Sequence, residues 1–190
     1  MSTGQRRAIQ TGDAVFLRRP SARDEDEYFA LRRASARFLR PWEPRAPRGA
    51  DKHAAFLRML ASNRTGRCER LLVCSKLDGR ILGYIAINEI IRGAFQCGFL
   101  GYWIGAAHAR RGYMTEALAL MLRHAFGALR LHRVEANIMP HNRPSLRLVA
   151  RAGFRREGLS KRYLEIAGRW QDHERWALLR EEFLAGLRRP

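Results

Sequence analysis

Between Gly101 and Leu118 the hydrophobic period of the chain changes, and this change constrains the fold more than any other stretch. Phe99 to Ile104 is apolar, aromatic and β-prone, as a strand requires. From Thr115 onward Leu118, Met121, Leu122, Ala125, Phe126 and Leu129 recur at the spacing of one helix face. The joint between them is Ala109, Arg110, Arg111, Gly112, Tyr113 and Met114. A strand that turns straight into a helix aims several free backbone N–H groups at one point, together with the positive end of the helix dipole. Such a joint is built to hold phosphate, and Arg110 and Arg111 can add charge-assisted contacts.

The rest of the chain supplies a sheet and helices around this joint. Ala14 to Arg19 reads as a first strand, stopped by Pro20. Ser21 is placed to cap a helix whose first turn holds Asp24, Glu25, Asp26 and Glu27, and which carries Tyr28, Leu31 and Phe38. Pro41, Trp42 and Pro44, then Pro47 and Gly49, break it into a loop. The loop's aromatic can line a substrate site or belong to an ordinary surface connection. Asp51 can cap a second helix to about Ala61, with Phe56, Leu57 and Leu60 on one face. Arg70 to Lys76 is a strand, Asp78-Gly79 a hairpin signal, Arg80 to Arg92 a long strand, and Phe95 to Ile104 the strand that enters the joint. After the helix from Thr115 to Leu129 comes a strand from Arg133 to Met139. Asn142 then caps a helix with Pro144 in its first turn, running to about Arg151. Glu157 to Ile166 and Trp170 to Leu179 form a closing hairpin around Gly168, and a short helix follows from Glu181. The pattern is α+β, or mixed α/β, with one layer of sheet covered by helices.

Composition narrows the classes of function. The 190 residues are enough for one domain with a substantial core and too few for two comfortable ones. No apolar run approaches the roughly 20 residues of a membrane span, and Met1 to Gln10 has no apolar segment of a secretory signal. Cys68, Cys74 and Cys97 are odd in number and lack metal-ligand spacing, which points to reduced thiols, the cytoplasm and no metal. Cys74 and Cys97 lie in apolar strands and read as core. With 36 Lys and Arg against 18 Asp and Glu, the formal net charge is +18. Such a charge favours polyanions: a cofactor's phosphates, RNA or a ribonucleoprotein surface. No RRM, KH or zinc-finger pattern accompanies it.

A set of residues spread over nearly the whole chain is more specific. It comprises Ile91-Arg-Gly93, Gly101-Tyr-Trp-Ile-Gly105, Arg111-Gly-Tyr-Met-Thr-Glu-Ala117, His132-Arg133, Ala136-Asn137, Met139-Pro-His-Asn142, Ser145, Ala152-Gly-Phe154, Glu157-Gly158 and Asp172-His173. Through them the chain resembles the GCN5-related N-acetyltransferase (GNAT) superfamily. More narrowly, it is similar to the RimJ-type ribosomal-protein-alanine acetyltransferases. The resemblance implies a single N-acetyltransferase domain over residues 1–190. It implies a mostly antiparallel sheet of about seven strands flanked by about four helices. The fourth and fifth strands, here Phe95 to Ile104 and Arg133 to Met139, would splay apart around acetyl-CoA. The pantetheine arm would pair with the backbone of Trp103 and Ile104, and the pyrophosphate would sit on amides of Ala109, Arg110, Arg111, Gly112, Tyr113, Met114 and Thr115. Asn142 would orient the pantetheine amides or simply cap its helix. Of the family's loop pattern only Gly112 matches fully, so binding rests on backbone donors and on Arg110 and Arg111.

The catalytic residues follow the resemblance less closely. Many superfamily members carry a tyrosine seven residues after the capping Asn, which protonates the departing thiolate; that position here is Val149. Ser145 stands where related ribosomal-protein acetyltransferases are proposed to hold the acid, and is otherwise a capping residue. An α-amino group, with a pKa of about 7.7–8.0, must lose a proton before it attacks. Glu89 and Glu135 are the candidate bases; Glu165, His141 or a water chain are further options. No cysteine has a nucleophile–base arrangement, so transfer from acetyl-CoA to the amine would be direct. The expected acceptor is the N-terminal alanine of a ribosomal protein such as S5. The basic surface would serve association with the ribosome or its RNA. No membrane partner is expected, and the chain would act as a monomer or homodimer. The alternatives are a small-molecule amine (an antibiotic, polyamine or amino acid) and a ribosome- or RNA-associated binding protein with little turnover.

Overall fold

Alternating apolar and β-branched residues build one eight-stranded sheet in the computed structural model, which describes residues 8–45, 47 and 49–187. The strands are β1 (Gln10–Thr11), β2 (Val15–Arg18), β3 (Glu69–Ser75), β4 (Ile81–Ile91), β5 (Cys97–Ile104), β6 (Arg133–Ile138), β7 (Arg155–Ile166) and β8 (Arg169–Leu179). The helices are α1 (Glu25–Ala34), α2 (Ala36–Leu39), α3 (Lys52–Ser62), α4 (Tyr113–Phe126), α5 (Arg143–Arg151) and α6 (Arg180–Leu187). Across the sheet the order is β1-β2-β3-β4-β5-β6-β8-β7.

Neighbouring strands are antiparallel except β5 and β6. These two are parallel because α4 carries the chain across between them, the connection parallel neighbours need. Their ladder is short: Cys97 pairs with Arg133, Gly98 with Val134 and Phe99 with Glu135. Beyond it residues 101–104 stay on β4 and residues 136–138 stay on β8. The two strands therefore part, and a wedge opens between them. A bulge in β4 between Asn88 and Ile91, with Glu89 at φ +44°, bends the sheet at the level where the wedge begins.

Successive residues of a central strand bury on opposite faces. Leu71 and Val73 of β3 join a cluster with Ile85, Ile87 and the α4 residues Leu118, Met121, Leu122, Ala125 and Phe126. Leu146 and Val149 of α5 close the same cluster. Leu72 and Cys74 turn the other way, onto Tyr28 of α1 and Phe56 and Met59 of α3. Each large side chain buried this way contributes about 1.5–3 kcal/mol.

The two-residue β1 raises the strand number from the expected seven to eight, being too short to show a period. The helix expected after Ser21 opens as a 3-10 turn, Ala22–Asp24, and breaks at Ser35 into α1 and α2. Phe38, expected on the apolar face of one continuous helix, lies exposed beyond that break. On α3 the buried pair is Phe56 and Met59, and Leu57 is exposed, because the face repeats every three to four residues and Leu57 adjoins it. All three cysteines are free and buried. The reading of Met1 to Arg7 lies outside the described residues.

Candidate active site

The joint after β5 makes the mouth of the wedge. Gly112 is the N-cap of α4 at φ +84°, ψ −18°, a left-handed conformation glycine adopts without strain. The first helical bond runs from Glu116 N–H to the Gly112 carbonyl. The amides of Tyr113, Met114 and Thr115 therefore start the helix without intrahelical partners. Arg110 and Arg111 lie exposed on the same loop, and the Arg111 guanidinium sits 5.4 Å from the centre of the Tyr113 ring. Burial, and then the Arg111 charge, hold the His108 imidazole below its ordinary range, so it is neutral at pH 7.

Distant residues fix this loop. The buried Ser35 hydroxyl accepts a hydrogen bond of 3.0 Å from Ala106 N–H. Gly105 passes so close to α1 that an added Cβ would lie 2.6 Å from Leu31 Cδ1. At the other end, the Glu116 carboxylate accepts from the amides of Asp13 and Ala14 and ties the first turn of α4 to the β1–β2 turn.

The helix-side edge of the wedge is α5. The Asn142 side chain accepts from Ser145 N–H at 3.3 Å, so it caps the helix, the second of its two expected roles. Ser145 sits half-buried in that first turn, and Val149 is fully buried one turn on, where no hydroxyl group is available. Facing α5, the β5 residue Tyr102 packs its ring on the same cluster as Leu146 and Val149. The Tyr102 hydroxyl is buried without a hydrogen-bond partner among the described residues. Burial raises its pKa to about 12, and the Ser145 hydroxyl offsets this in part.

The opposite face is closed by long-range contacts. The Trp103 side chain lies under α1, 5.5 Å from Tyr28 and 5.2 Å from the Arg32 guanidinium. Arg32 in turn grips Glu43 with two bonds of 2.8 and 2.7 Å, and the Glu43 carbonyl accepts from Ala167 N–H in the β7–β8 turn. Trp42 meets His141 at 5.4 Å, so the loop after α2 reaches the end of β6. Two clefts flank this lid. One of about 370 Å³ is lined by Arg32, Leu39, Arg40, Glu43, Arg45 and Ala167. The other, of about 600 Å³, is lined by His141, Arg143, Arg162, Trp170, Gln171 and Asp172.

The carboxylates expected to act as bases fall in different places. Glu135 stands at the apex of the wedge, opposite Phe99, and is 4% exposed. It accepts from Arg133 Nε at 2.7 Å and lies 3.5 Å from Arg175 Nη2. Two residues on and on the same face, Asn137 Oδ1 is buried without a partner among the described residues. Glu89 lies at the β4 bulge, on the side where β5 and β6 are still paired. It is exposed, with Arg67 at 3.6 Å. The structure does not bring it to the wedge. Glu165 is exposed in the hairpin, opposite Trp170. Burial first, and Glu135 second, push the Cys97 thiol up to about 11, and Cys74 lies equally high through its burial. Neither carries a thiolate at neutral pH.

Three contributors lay outside the sequence reading. Tyr102 was signalled by alternation, which sets it on the face of Leu100 and Ile104. Ser35 and Asn137 carried no local signal. Two polar atoms without a partner among the described residues, Tyr102 Oη and Asn137 Oδ1, belong to β5 and β6 where the strands have parted. With the unpaired backbone edge of residues 101–104 and the amides of α4, they suit an extended ligand that carries amide groups and phosphates. Among the described residues, no group of three His, Cys, Asp or Glu side chains could hold a metal ion, and no helix is long and apolar enough to cross a membrane.

Comparison with known proteins gives concordant matches. The family described as acetyltransferase (GNAT) domain matches residues 14–155. The ribosomal protein uS5-alanine N-acetyltransferase of Escherichia coli (strain K12) is 32% identical over 185 residues, covering 93% of either chain. YjcK of Bacillus subtilis (strain 168), a probable N-acetyltransferase, is 44% identical over 102 residues, 54% of this chain. That match spans only 56% of the relative's length. Mycobacterium smegmatis RimJ, solved in complex with CoA-disulfide, is 33% identical with a TM-score of 0.79, over 92% of this chain and 90% of that one.

Proposed function

The chain belongs to the acetyltransferase (GNAT) family, and on that premise we propose that it transfers acetyl from acetyl-CoA to the N-terminal alanine of a ribosomal protein. The observation that carries the reading is the wedge between β5 and β6, which ends at the amides of α4. Acetyl-CoA supplies an activated thioester. The backbone of Trp103 and Ile104 holds the pantetheine arm, and the amides of residues 109–115, with Arg110 and Arg111, hold the pyrophosphate.

Ser145 O–H donates to the departing sulfur from the first turn of α5, where the helix dipole favours the negative charge. Glu135, held at the apex by Arg133 and Arg175, draws the ammonium there, and water carries the amine's proton away. The ammonium loses two protons in all: this one is released to solvent, and the second, shed as the tetrahedral intermediate collapses and the C–S bond breaks, ends on the sulfur to give the CoA thiol. Asn137 Oδ1 accepts an N–H of the amine. The buried, protonated cysteines favour direct transfer over an acyl-enzyme.

The acceptor is supported by the full-length similarity to the E. coli enzyme and to RimJ. Arg40, Arg45, Arg143 and Arg162 line the clefts, and such a rim repels a polyamine. The test is acetyl-CoA turnover, read as thiol release and product mass. The panel is an Ala-started S5 N-terminal peptide, aminoglycosides and polyamines. Turnover confined to the peptide supports the proposal. Turnover confined to the small amines replaces it with small-molecule acetylation. CoA binding without turnover points to a binding protein.

A further inference from the structure

The outward side of α5 carries a row of positive charge. Arg143, Arg147 and Arg151 follow one another at four-residue intervals and are all exposed, while Leu146 and Val149 are buried on the side that meets the core. In a helix such residues stand about 6 Å apart along one face. α5 has no acidic residue, and among the described residues no carboxylate pairs with any of the three guanidinium groups. Like charges at this spacing destabilise a helix, so the row opposes the fold that carries it. It also runs into a cleft. Arg143 lines the cavity of about 600 Å³ together with Arg162 of β7 and Trp170, Gln171 and Asp172 of β8. No lining residue belongs to β5, to the loop after it or to α4. Trp170 is 63% exposed, so most of a large aromatic ring is left uncovered beside two arginines. Asp172 Oδ1 accepts from Arg162 N–H at 2.8 Å, which fixes one carboxylate among these cations.

We propose that this surface holds single-stranded RNA: successive phosphates lie along Arg143, Arg147 and Arg151, and an unpaired base enters the cleft and stacks on Trp170. The base edge then faces the amide of Gln171 and the carboxylate of Asp172. The arginine spacing is close to that of successive phosphates along a strand. A basic track beside an exposed aromatic ring is how unpaired bases are held, and RNA presents such bases in its loops and ends. An anionic membrane fits less well, because the apolar side of α5 is already in the core and the helix has nothing to insert. An acidic peptide would engage the arginines and leave the ring and the cleft unused. The inference goes beyond acetyl transfer and does not depend on the acceptor proposed above.

The test is fluorescence anisotropy with a labelled single-stranded oligoribonucleotide of about twelve mixed nucleotides. It is titrated with the full chain between about 50 and about 200 mM KCl. The logarithm of the binding constant should fall against that of the salt concentration with a slope of about −2, some 0.7 for each of three phosphates. Arg147→Ala combined with Arg151→Ala should weaken binding about tenfold and flatten the slope by about 1.4. Trp170→Ala should weaken binding at least about fivefold and leave the slope unchanged, since a stack and not a charge is lost. Arg58→Ala combined with Arg64→Ala removes the same charge from exposed positions in and after α3, and should stay within about twofold of the parent. Thermal melts establish that each variant is folded. No binding, or equal losses from the two arginine pairs, overturns the inference, since the second would mean attraction to the net charge of +18 at large. Tighter binding to an RNA duplex, to polyglutamate or to phosphatidylcholine vesicles containing phosphatidylglycerol also overturns it. Release of the RNA by CoA, with a raised KM for acetyl-CoA in the Arg147–Arg151 variant, would give the row to the cofactor's phosphates instead.

Discussion

The two walls of the wedge are made in different ways. The wall we propose for the cofactor is local: β5, its loop and α4 follow one another in the chain, and Gly112 and Asn142 act on amides within three or four residues. The opposite wall, which we propose meets the acceptor, is assembled from distant pieces, with Arg32 on Trp103, Glu43 on Ala167 and Trp42 on His141. A wall shaped by its own backbone is preorganised by the fold. A wall held by a few long-range contacts belongs to the less stable part of a structure, and is where specificity can change without loss of cofactor binding.

The sharpest way to break this comparison is at the seam. Ser145→Ala should lower kcat at least about tenfold, short of the roughly 10²–10⁴ of a strong general acid, with both KM values preserved; an unchanged kcat removes Ser145 as donor. Next, Arg110→Ala combined with Arg111→Ala should raise the KM for acetyl-CoA about tenfold and spare the acceptor, with a smaller effect at high salt. Equal effects on both substrates would mean that the walls are not separable. Conversely, Glu43→Gln should raise the acceptor KM about threefold at constant acetyl-CoA KM, because a half-exposed ion pair contributes roughly 0.2–1 kcal/mol. Ser35→Ala tests the bond that ties the Ser35 break between α1 and α2 to the loop after β5. It leaves Ala106 N–H without its partner and should lower Tm by about 2–4 °C.

The scaffold under both walls has its own signature with pH. Burial pushes the Asp24 carboxyl up, but the two-bond grip of Arg18 and the Ser21 donors outweigh it and hold it below the usual range. Glu69 is likewise depressed, burial being outweighed by His124 and Arg19. Groups depressed in the folded state add stability that is complete above their unfolded values, about 3.9 for Asp and 4.3 for Glu. It is lost as the pH falls through the folded ones. Tm followed by circular dichroism should therefore hold from neutral pH to about 5 and drop below about 4. In Asp24→Asn the drop should be shallower.

The legible parts share a physical character. α4 could be read because Leu118, Met121, Leu122, Ala125 and Phe126 repeat with the helix, and they are the residues it buries. Its start came two residues early, at Tyr113, since Gly112 makes the cap. The α5 cap was legible because Asn142 and Pro144 act on their own neighbours. Glu89 and Glu135 could not be told apart in sequence. Glu135 sits in β6 and Glu89 in β4, the neighbour of β5, and only the point where β5 and β6 separate leaves one at the apex and the other behind it. The break at Ser35 was hidden for a similar reason. A serine is tolerated within a helix, and its hydroxyl is committed to an amide 71 residues away.

By itself, then, the sequence determined the strand-loop-helix joint, the order of elements and the family, because backbone conformation and apolar period depend on near neighbours. The tertiary structure alone decided which strands part and which carboxylate stands at the opening. Those are outcomes of register and twist, set only when strands far apart in the chain have chosen their partners.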